Sequence, residues 1–445
     1  MNKLTEEYKE PDYLSEPLAL PEGVDYDEYI ICTYIGHIDS DINVNIIGPA
    51  LAIEQSTGTF VPVPMETPEV RRRHVAKVVS FTQIPDYEFE RPGRKEEPKR
   101  TYVIQLAFPY INVKNMVSML LTAIFGNISM GGELKMVDVR FPKVYVDDFK
   151  GPKFGIEGIR KILKVPKRPL LNNMIKPCTY TWAPEFSQLF YDAAVGGCDI
   201  IKDDELVSNQ DYNKLEDRVP AFMEMADKAD SEKGEKTIYT ANITDKLPNI
   251  LENADKVQEL GANGIMINFP VLGFEVLRAL AEDPSVKVPI LGHMDFAGAM
   301  YMAPWFGVSS HLILGKLARL CGADIVVHPA PYGKASVIQE KYIRVANTLR
   351  WPFYHLRPTM PMPSGGITAG LVDRCVNDLG TDIIIGSGGG IHAHPDGPKA
   401  GATAFRQAID ATLQGIKLTK YGKTHKELGR ALGVWTAGKK TEFKL

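Results

Sequence analysis

After Gly151 the chain settles into one rhythm: a short β-branched or apolar run, then a segment of helix length, eight times over. The runs occupy residues 169–175, 199–202, 237–243, 264–269, 288–291, 323–327, 359–362 and 382–385. Strands alternating with helices over roughly 250 residues specify a parallel sheet, and eight such units point to a (β/α)8 barrel. A doubly wound open sheet is the alternative. No nucleotide-binding GxGxxG follows the first run, however, and eight units favour closure. Polar residues also gather where a barrel enzyme needs them, at the C-terminal ends of the runs. Lys176 follows the first, Lys202-Asp203-Asp204-Glu205 ends the second and Asn242 the third. His293 and Asp295 follow the fifth, His328 to Lys334 the sixth, Ser364-Gly365-Gly366 the seventh and Ser387 to Gly390 the eighth.

The first 150 residues read differently. Strand-like residues 29–34, a helix-like stretch at 67–77 carrying Arg71, Arg72 and Arg73, a strand at 102–108, an apolar helix at 113–125 and a strand at 134–141 suggest a small α+β domain. The division is therefore 1–150 as α+β and 151–445 as a barrel with a helical tail. Residues 88–100 (EFERPGRKEEPKR) read as a solvated loop. With 44% hydrophobic and 24% charged residues among 445, the chain is ordinary for a globular protein, so disorder, collagen and coiled coil are excluded as its main architecture. Lys+Arg 51 against Asp+Glu 55 leaves a net charge of −4, which provides no field for nucleic acid or an acidic membrane. Local basicity after Ile416 reads as a solvated helical face. The five cysteines form no CxxC pair, which argues against a disulfide framework or zinc ribbon and suits a reducing cytoplasm. No apolar run reaches the roughly 18–20 residues of a membrane span, and the charged N-terminus lacks a signal-peptide core. The expectation is a cytoplasmic protein.

In GGCDIIKDDE (196–205), strand alternation puts Lys202 and Asp204 on one face, with Glu205 bending in at the turn and Asp203 facing away. Two carboxylates suit Mg²⁺, but a cationic lysine beside them repels it. A lysine that captures CO₂ becomes an anionic carbamate and supplies a third oxygen. Taken alone, the tetrapeptide fits a salt-bridged acidic loop better than a metal site. The glycine runs SGGI (364–367) and GSGGGI (386–391) lie on the last two strands, the usual phosphate site of a barrel. His392 and His394 lack a nearby carboxylate and read as loop packing or polar support.

Together these motifs resemble the large chain of ribulose bisphosphate carboxylase/oxygenase (RuBisCO) over nearly the whole sequence. GGCDIIKDDE resembles its carbamate and metal motif, IEQSTGTF (53–60) its N-terminal site segment and Gly126-Asn127 its catalytic Asn. MIKP (174–177) resembles its proton-transfer Lys motif, and SGGI and GGGIHAHP (388–395) its glycine segments. GPKFGIEGIR (151–160), FGVSSHLILGKLARLCGAD (306–324), HPAPYGKAS (328–336) and AFRQAIDATLQG (404–415) are more similar to the RuBisCO-like proteins of form IV, including the diketo-methylthiopentyl-phosphate enolase of methionine salvage. The resemblance implies a (β/α)8 barrel behind a ferredoxin-like α+β domain, Mg²⁺, and CO₂ bound as a carbamate on Lys202 with Asp204 and Glu205 as further ligands. It makes Lys176 the acid/base. It gives one phosphate to Thr59, Gly366, Gly388 and Gly389 beside Gly365, and makes Ser364 a binder of the substrate backbone. Glu54 and Asn127 would reach in from a partner subunit, so a homodimer with shared sites is implied.

The departures carry information too. Cys178 stands where carboxylases have a second Lys, and Met294 and Asp295 replace a His-Arg pair, leaving His328 as the donor at that end. Lys334 matches the mobile-loop Lys of carboxylases across a one-residue gap. Asn127 falls where the salvage enolase has a general-base Lys. An anionic Asp295 opposes a second phosphate. The expectation is an Mg²⁺-dependent enzyme that works through an enediolate on a singly phosphorylated keto sugar or sugar acid. Decarboxylation or C–C cleavage, of the 3-oxo-isoapionate-4-phosphate type seen in apiose-catabolic relatives, leads; an enolase or isomerase reaction is the alternative. Authentic carboxylation and a non-catalytic metabolite binder come last, the latter because Lys202, Asp204, Glu205 and Lys176 are all intact.

Overall fold

In a computed structural model, which describes residues 26–59, 63–86, 98–335 and 337–435, side-chain alternation builds the first sheet. Along β1 (Tyr29–Asp39), Ile30, Cys32, Tyr34 and Gly36 are buried while Thr33, Ile35 and His37 are partly exposed, the period of a half-buried strand. With β2 (Lys77–Ile84), β3 (Lys99–Pro109) and β4 (Leu134–Arg140) it forms a sheet of order β4-β1-β3-β2 in which each neighbouring pair is antiparallel. Helices Val44–Glu54 and Val117–Phe125 lie between β1 and β2 and between β3 and β4, which is the βαββαβ ferredoxin-like arrangement.

β2 and the helix Val44–Glu54 were not among the expected elements. Gly48 and Pro49 inside that helix read as turn residues in the sequence. The helix expected at 67–77 is shorter, Pro68–His74, because Lys77 already opens β2. The one expected from residue 113 starts at Val117, after Lys114 takes a left-handed φ of +42°. Most of the loop expected at 88–100 lies outside the described residues, and its end, Lys99 and Arg100, belongs to β3.

The barrel strands are β5 (Leu170–Met174), β6 (Ile200–Lys202), β7 (Ile238–Asn242), β8 (Gly264–Ile267) and β9 (Ile290–Gly292), all parallel. The chain then forms β10 (Gly307–Val308) before β11 (Ile325–Pro329), β12 (Met360–Ser364) and β13 (Ile384–Ser387) complete the ring. Sheet order is β12-β11-β9-β8-β7-β6-β5-β13, so β13 returns to pair with β5. Among the described residues no ladder joins β12 to β13; Ser364 donates its hydroxyl to the Gly386 carbonyl across that seam (3.4 Å). Leu170, Ile200, Ile238, Met266, Leu291, Ile325, Val327, Met360, Met362 and Ile384 fill the interior, one apolar core that leaves only the strand ends for polar chemistry.

β10 does not belong to this ring. It pairs in parallel with β4, Gly307 against Lys135 and Val308 against Met136. The chain accordingly divides into unit 1, residues up to Phe149 with Gly298–Ile313, and unit 2, Lys150–Ala297 with Leu314 onward. Residues 298–313 lie in sequence within the stretch 151–445 expected to form the barrel. Gly307 and Val308 in this segment cover the open hydrogen-bonding edge of β4.

Candidate functional site

Lys202 is the last residue of β6 and its side chain is 0% exposed. Two residues below it Ile200 points into the apolar interior, so alternation carries Lys202 inward and up to the barrel end. Its Nζ donates to the Asp203 carbonyl (2.7 Å) and to Glu205 Oε2 (3.3 Å) and lies 3.6 Å from Met266 Sδ. Lys176, just beyond β5, donates to Asp204 Oδ2 (2.6 Å) and to Cys178 Sγ (2.7 Å). Two lysines and two carboxylates thus meet above the first two barrel strands. Asn242 and Asn268 hold the turn by donating to the carbonyls of Asp204 (3.3 Å) and Glu205 (3.1 Å) respectively.

Burial opposes the charge on Lys176, but the hydrogen bonds to Asp204 and Cys178 outweigh it and raise its pKa. Burial also pushes Glu205 upward, yet Lys202 and then His293 pull it down to about 2. His293, with Nε2 3.4 Å from Glu205 Oε2, is lowered to about 3 by burial and by the Lys202 charge, so it is a neutral imidazole at physiological pH. Sequence reasoning had noted His293 only as a strand-end residue and missed its contact with Glu205.

Asp203 does face away, and its partners were not foreseen. It accepts from the Arg218 guanidinium (3.0 Å), the Tyr239 hydroxyl (2.9 Å) and the Asn242 N–H (2.9 Å), all of them buried. This network anchors the tetrapeptide from outside the ring while Lys202 and Asp204 face in.

The glycines of the last two loops answer to different constraints. A Cβ on Gly388 would lie 2.9 Å from Lys176 Cε, so the residue leaves the Lys176 side chain its path. Gly389 opens a single helical turn, Gly389–His392, with nothing within 4 Å of its would-be Cβ. Gly365 and Gly366 have φ of +95° and +85°, a conformation that only glycine adopts freely, directly after the buried Ser364. Lys334 is exposed, and its backbone N–H donates to the Gly365 carbonyl (2.9 Å). His392 Nε2 lies 3.1 Å from Asn173 Oδ1, and His394 Nε2 lies 3.0 Å from the Glu427 carbonyl, so both serve packing.

His328 lies within β11. Ile325 and Val327 are the β11 residues that face the interior, so alternation turns the His328 side chain to the outer side of the ring. Its ring is fully buried and packs 5.4 Å from that of Tyr342, and burial lowers its pKa to about 3. In unit 1, Asn127 Nδ2 donates to Glu54 Oε1 (3.2 Å), which brings together two residues far apart in sequence; Thr59 lies beyond the helix that ends at Glu54.

Among the described residues no three His, Cys, Asp or Glu side chains form a metal-ligand cluster. Asp204 and Glu205 provide hard oxygens, and the third group beside them is Lys202. The set fits a hard cation once that lysine carries an oxygen donor. Two buried oxygens nearby keep unused capacity: Thr240 Oγ1, on the residue in register with Lys202, and Asn268 Oδ1 have no hydrogen-bond partner.

Comparison with known proteins agrees with this architecture. Residues 155–435 match the ribulose bisphosphate carboxylase large chain, catalytic domain, and residues 22–145 its N-terminal domain. A ribulose bisphosphate carboxylase-like protein of Archaeoglobus fulgidus is 57% identical over 94% of this chain and 96% of its own. The 2,3-diketo-5-methylthiopentyl-1-phosphate enolase of Bacillus cytotoxicus is 35% identical over 91% and 97%. The crystal structure of a rubisco-like protein from Alicyclobacillus acidocaldarius superposes with a TM-score of 0.83 at 34% identity, over 92% of this chain and 100% of that one. With both domain signatures, the barrel-end lysines and carboxylates, and RuBisCO-like relatives along nearly its full length, this chain belongs to the RuBisCO large-chain family, consistent with a form IV RuBisCO-like protein.

Proposed function

We propose that the end of the barrel carrying Lys176, Lys202, Asp204 and Glu205 removes a proton α to the carbonyl of a singly phosphorylated keto sugar or keto acid and so forms an enediolate. The observation that carries this reading is the Lys176 amine between Asp204 and Cys178. The 2.6 Å contact with Asp204 favours the ammonium, so Lys176 must give up a proton before it can take one from substrate, and a cation bound by Asp204 would remove the contact that holds that proton. Lys202, as its CO₂ carbamate, with Asp204 and Glu205 would hold Mg²⁺, which supplies positive charge to the developing enediolate oxygens. Gly366, Gly388 and Gly389, with Thr59, would take the phosphate through backbone amides. Asp295, partly exposed, would set an acid at the opposite end and disfavour a second phosphate.

The enolase relative supports tautomerisation as the net reaction. A second reading, loss of CO₂ from a branched β-keto sugar-acid phosphate, reaches the same enediolate. The Asn127–Glu54 pair favours it, because that enolase's N-terminal base lysine is an amide donor in this chain.

Deuterium wash-in from D₂O, followed by NMR over a panel of keto-sugar and keto-acid monophosphates, tests the proposal. Wild-type protein with Mg²⁺ and bicarbonate should exchange the α-hydrogen of at least one member, and Lys176→Met should slow that exchange by ~10²–10⁴-fold, the range of a lost general base. Exchange equally fast with Lys176→Met, or labelled CO₂ fixed onto ribulose bisphosphate by the wild type, would overturn it.

Glu54 and Asn127 lie on unit 1, and the proposed assembly is a homodimer in which each unit 1 serves its partner's barrel. Mixing Asn127→Ala with Lys202→Met chains should then restore up to about a quarter of wild-type exchange, since random pairing leaves one intact site in half the dimers. No recovery after verified subunit exchange counts against shared sites.

A further inference from the structure

Past the ends of β11 and β12 the two segments stay in contact. The Ala330 N–H donates to the Ser364 carbonyl (3.0 Å) and the Lys334 N–H to the Gly365 carbonyl (2.9 Å). The approach demands glycine on both sides: a Cβ on Gly333 would fall 1.7 Å from the Gly365 oxygen, and one on Gly366 2.8 Å from the Lys334 nitrogen. Holding a glycine-containing loop in one conformation costs backbone entropy, so something must fix it. The side chain of Lys334 is exposed and does not do so.

Besides these backbone bonds, a side-chain hold comes from behind the barrel. Tyr332, two residues before Lys334, donates its hydroxyl to Asp378 Oδ2 on the helix Val372–Leu379. Gln339 Nε2 donates to Asp378 Oδ1 (2.8 Å) and to the Tyr332 oxygen (3.2 Å). The Arg374 guanidinium stands 5.6 Å from the Tyr332 ring centre, and the Tyr342 ring meets it edge-on at 6.2 Å. A hydrogen bond to a carboxylate is among the stronger side-chain contacts, and here it ties a loop at the barrel's functional end to an outer helix.

We propose that Tyr332 is a positioning residue: anchored to Asp378, it fixes Gly333 and Lys334 against the Gly365–Gly366 turn and so shapes an anion site there, fitted to a phosphate. The anion half of this inference rests on the phosphate reading given above; the anchoring half rests on the contacts alone.

The test uses Tyr332→Phe, which keeps the ring and its contacts with Tyr342 and Arg374 and removes only the hydroxyl. Inorganic phosphate is titrated by calorimetry, and amide hydrogen exchange of residues 331–335 is followed by mass spectrometry. Phosphate affinity should fall about tenfold and exchange at 333 and 334 rise about tenfold, the scale of one charge-assisted hydrogen bond, with an unchanged melting temperature. Asp378→Asn retains an acceptor oxygen and should fall in between. Unchanged amide exchange in Tyr332→Phe overturns the anchor, and faster exchange with unchanged phosphate affinity overturns the positioning role. Wild-type protein that binds no phosphate overturns the anion site, while the deuterium wash-in dependent on Lys176 stands or falls separately.

Discussion

Lys202→Met should abolish Mg²⁺-dependent deuterium wash-in, by more than ~10³-fold, and leave the fold intact. The two side chains have similar length, and Lys202 is buried against Met266, so a thioether fits the space without a cavity. What disappears is the amine. Without it no carbamate can form, and Asp204 and Glu205 are left one oxygen donor short of a three-residue cation set. Two readouts separate this from a general loss of folding. With ¹³C-bicarbonate, wild-type protein should show a carbamate signal that the variant lacks, and circular dichroism should be the same for both. A variant that retains exchange, or a wild-type protein with Mg²⁺ present and no carbamate signal, would sink the assignment.

Arg218→Met should have the largest effect on stability, a loss of about 3–5 kcal/mol, because breaking a buried pair strands the other charge. Arg218 and Asp203 have side chains 0% and 1% exposed. Arg218 also donates to Asn213 Oδ1 (2.6 Å) and to the Ser208 carbonyl (2.7 Å). Burial opposes its charge, yet Asp203 outweighs the penalty and raises its pKa. Urea denaturation of the two proteins measures the difference. A loss below about 1 kcal/mol would mean that Tyr239 and the Asn242 N–H suffice for Asp203. Because Asp203 lies between Lys202 and Asp204, catalysis should weaken in the same variant even at temperatures where it stays folded.

How far the sequence could reveal this depended on whether the signal was local. Each of the eight barrel strands falls on one of the expected runs, because a buried parallel strand must be a short apolar run. Period-two alternation also separated Lys202 and Asp204 from Asp203. The same rule, applied to β11, turns His328 outward from the phase set by Ile325 and Val327. Arg218 lies a helix turn beyond a long loop and meets Asp203 only after folding, so neither spacing nor composition marks the pair. Cys178 was noted as a departure, but its contact with the Lys176 amine could be seen only in three dimensions. In unit 1, β2 was hidden among residues of mixed polarity, and the helix Val44–Glu54 behind its internal Gly48 and Pro49.

The parallel pairing of β10 with β4 has a consequence for how the chain is made. On the ribosome the N-terminal sheet lacks its fifth strand until residues 307 and 308 have emerged, by which time five of the eight barrel strands have already been synthesised. Until then β4 presents an unpaired strand edge, the kind that other chains can extend. A fragment cut at residue 150 would keep that edge permanently and should associate with itself more readily than the full chain. The two units are separate as compact bodies and interleaved in time: neither can be finished before the other has begun.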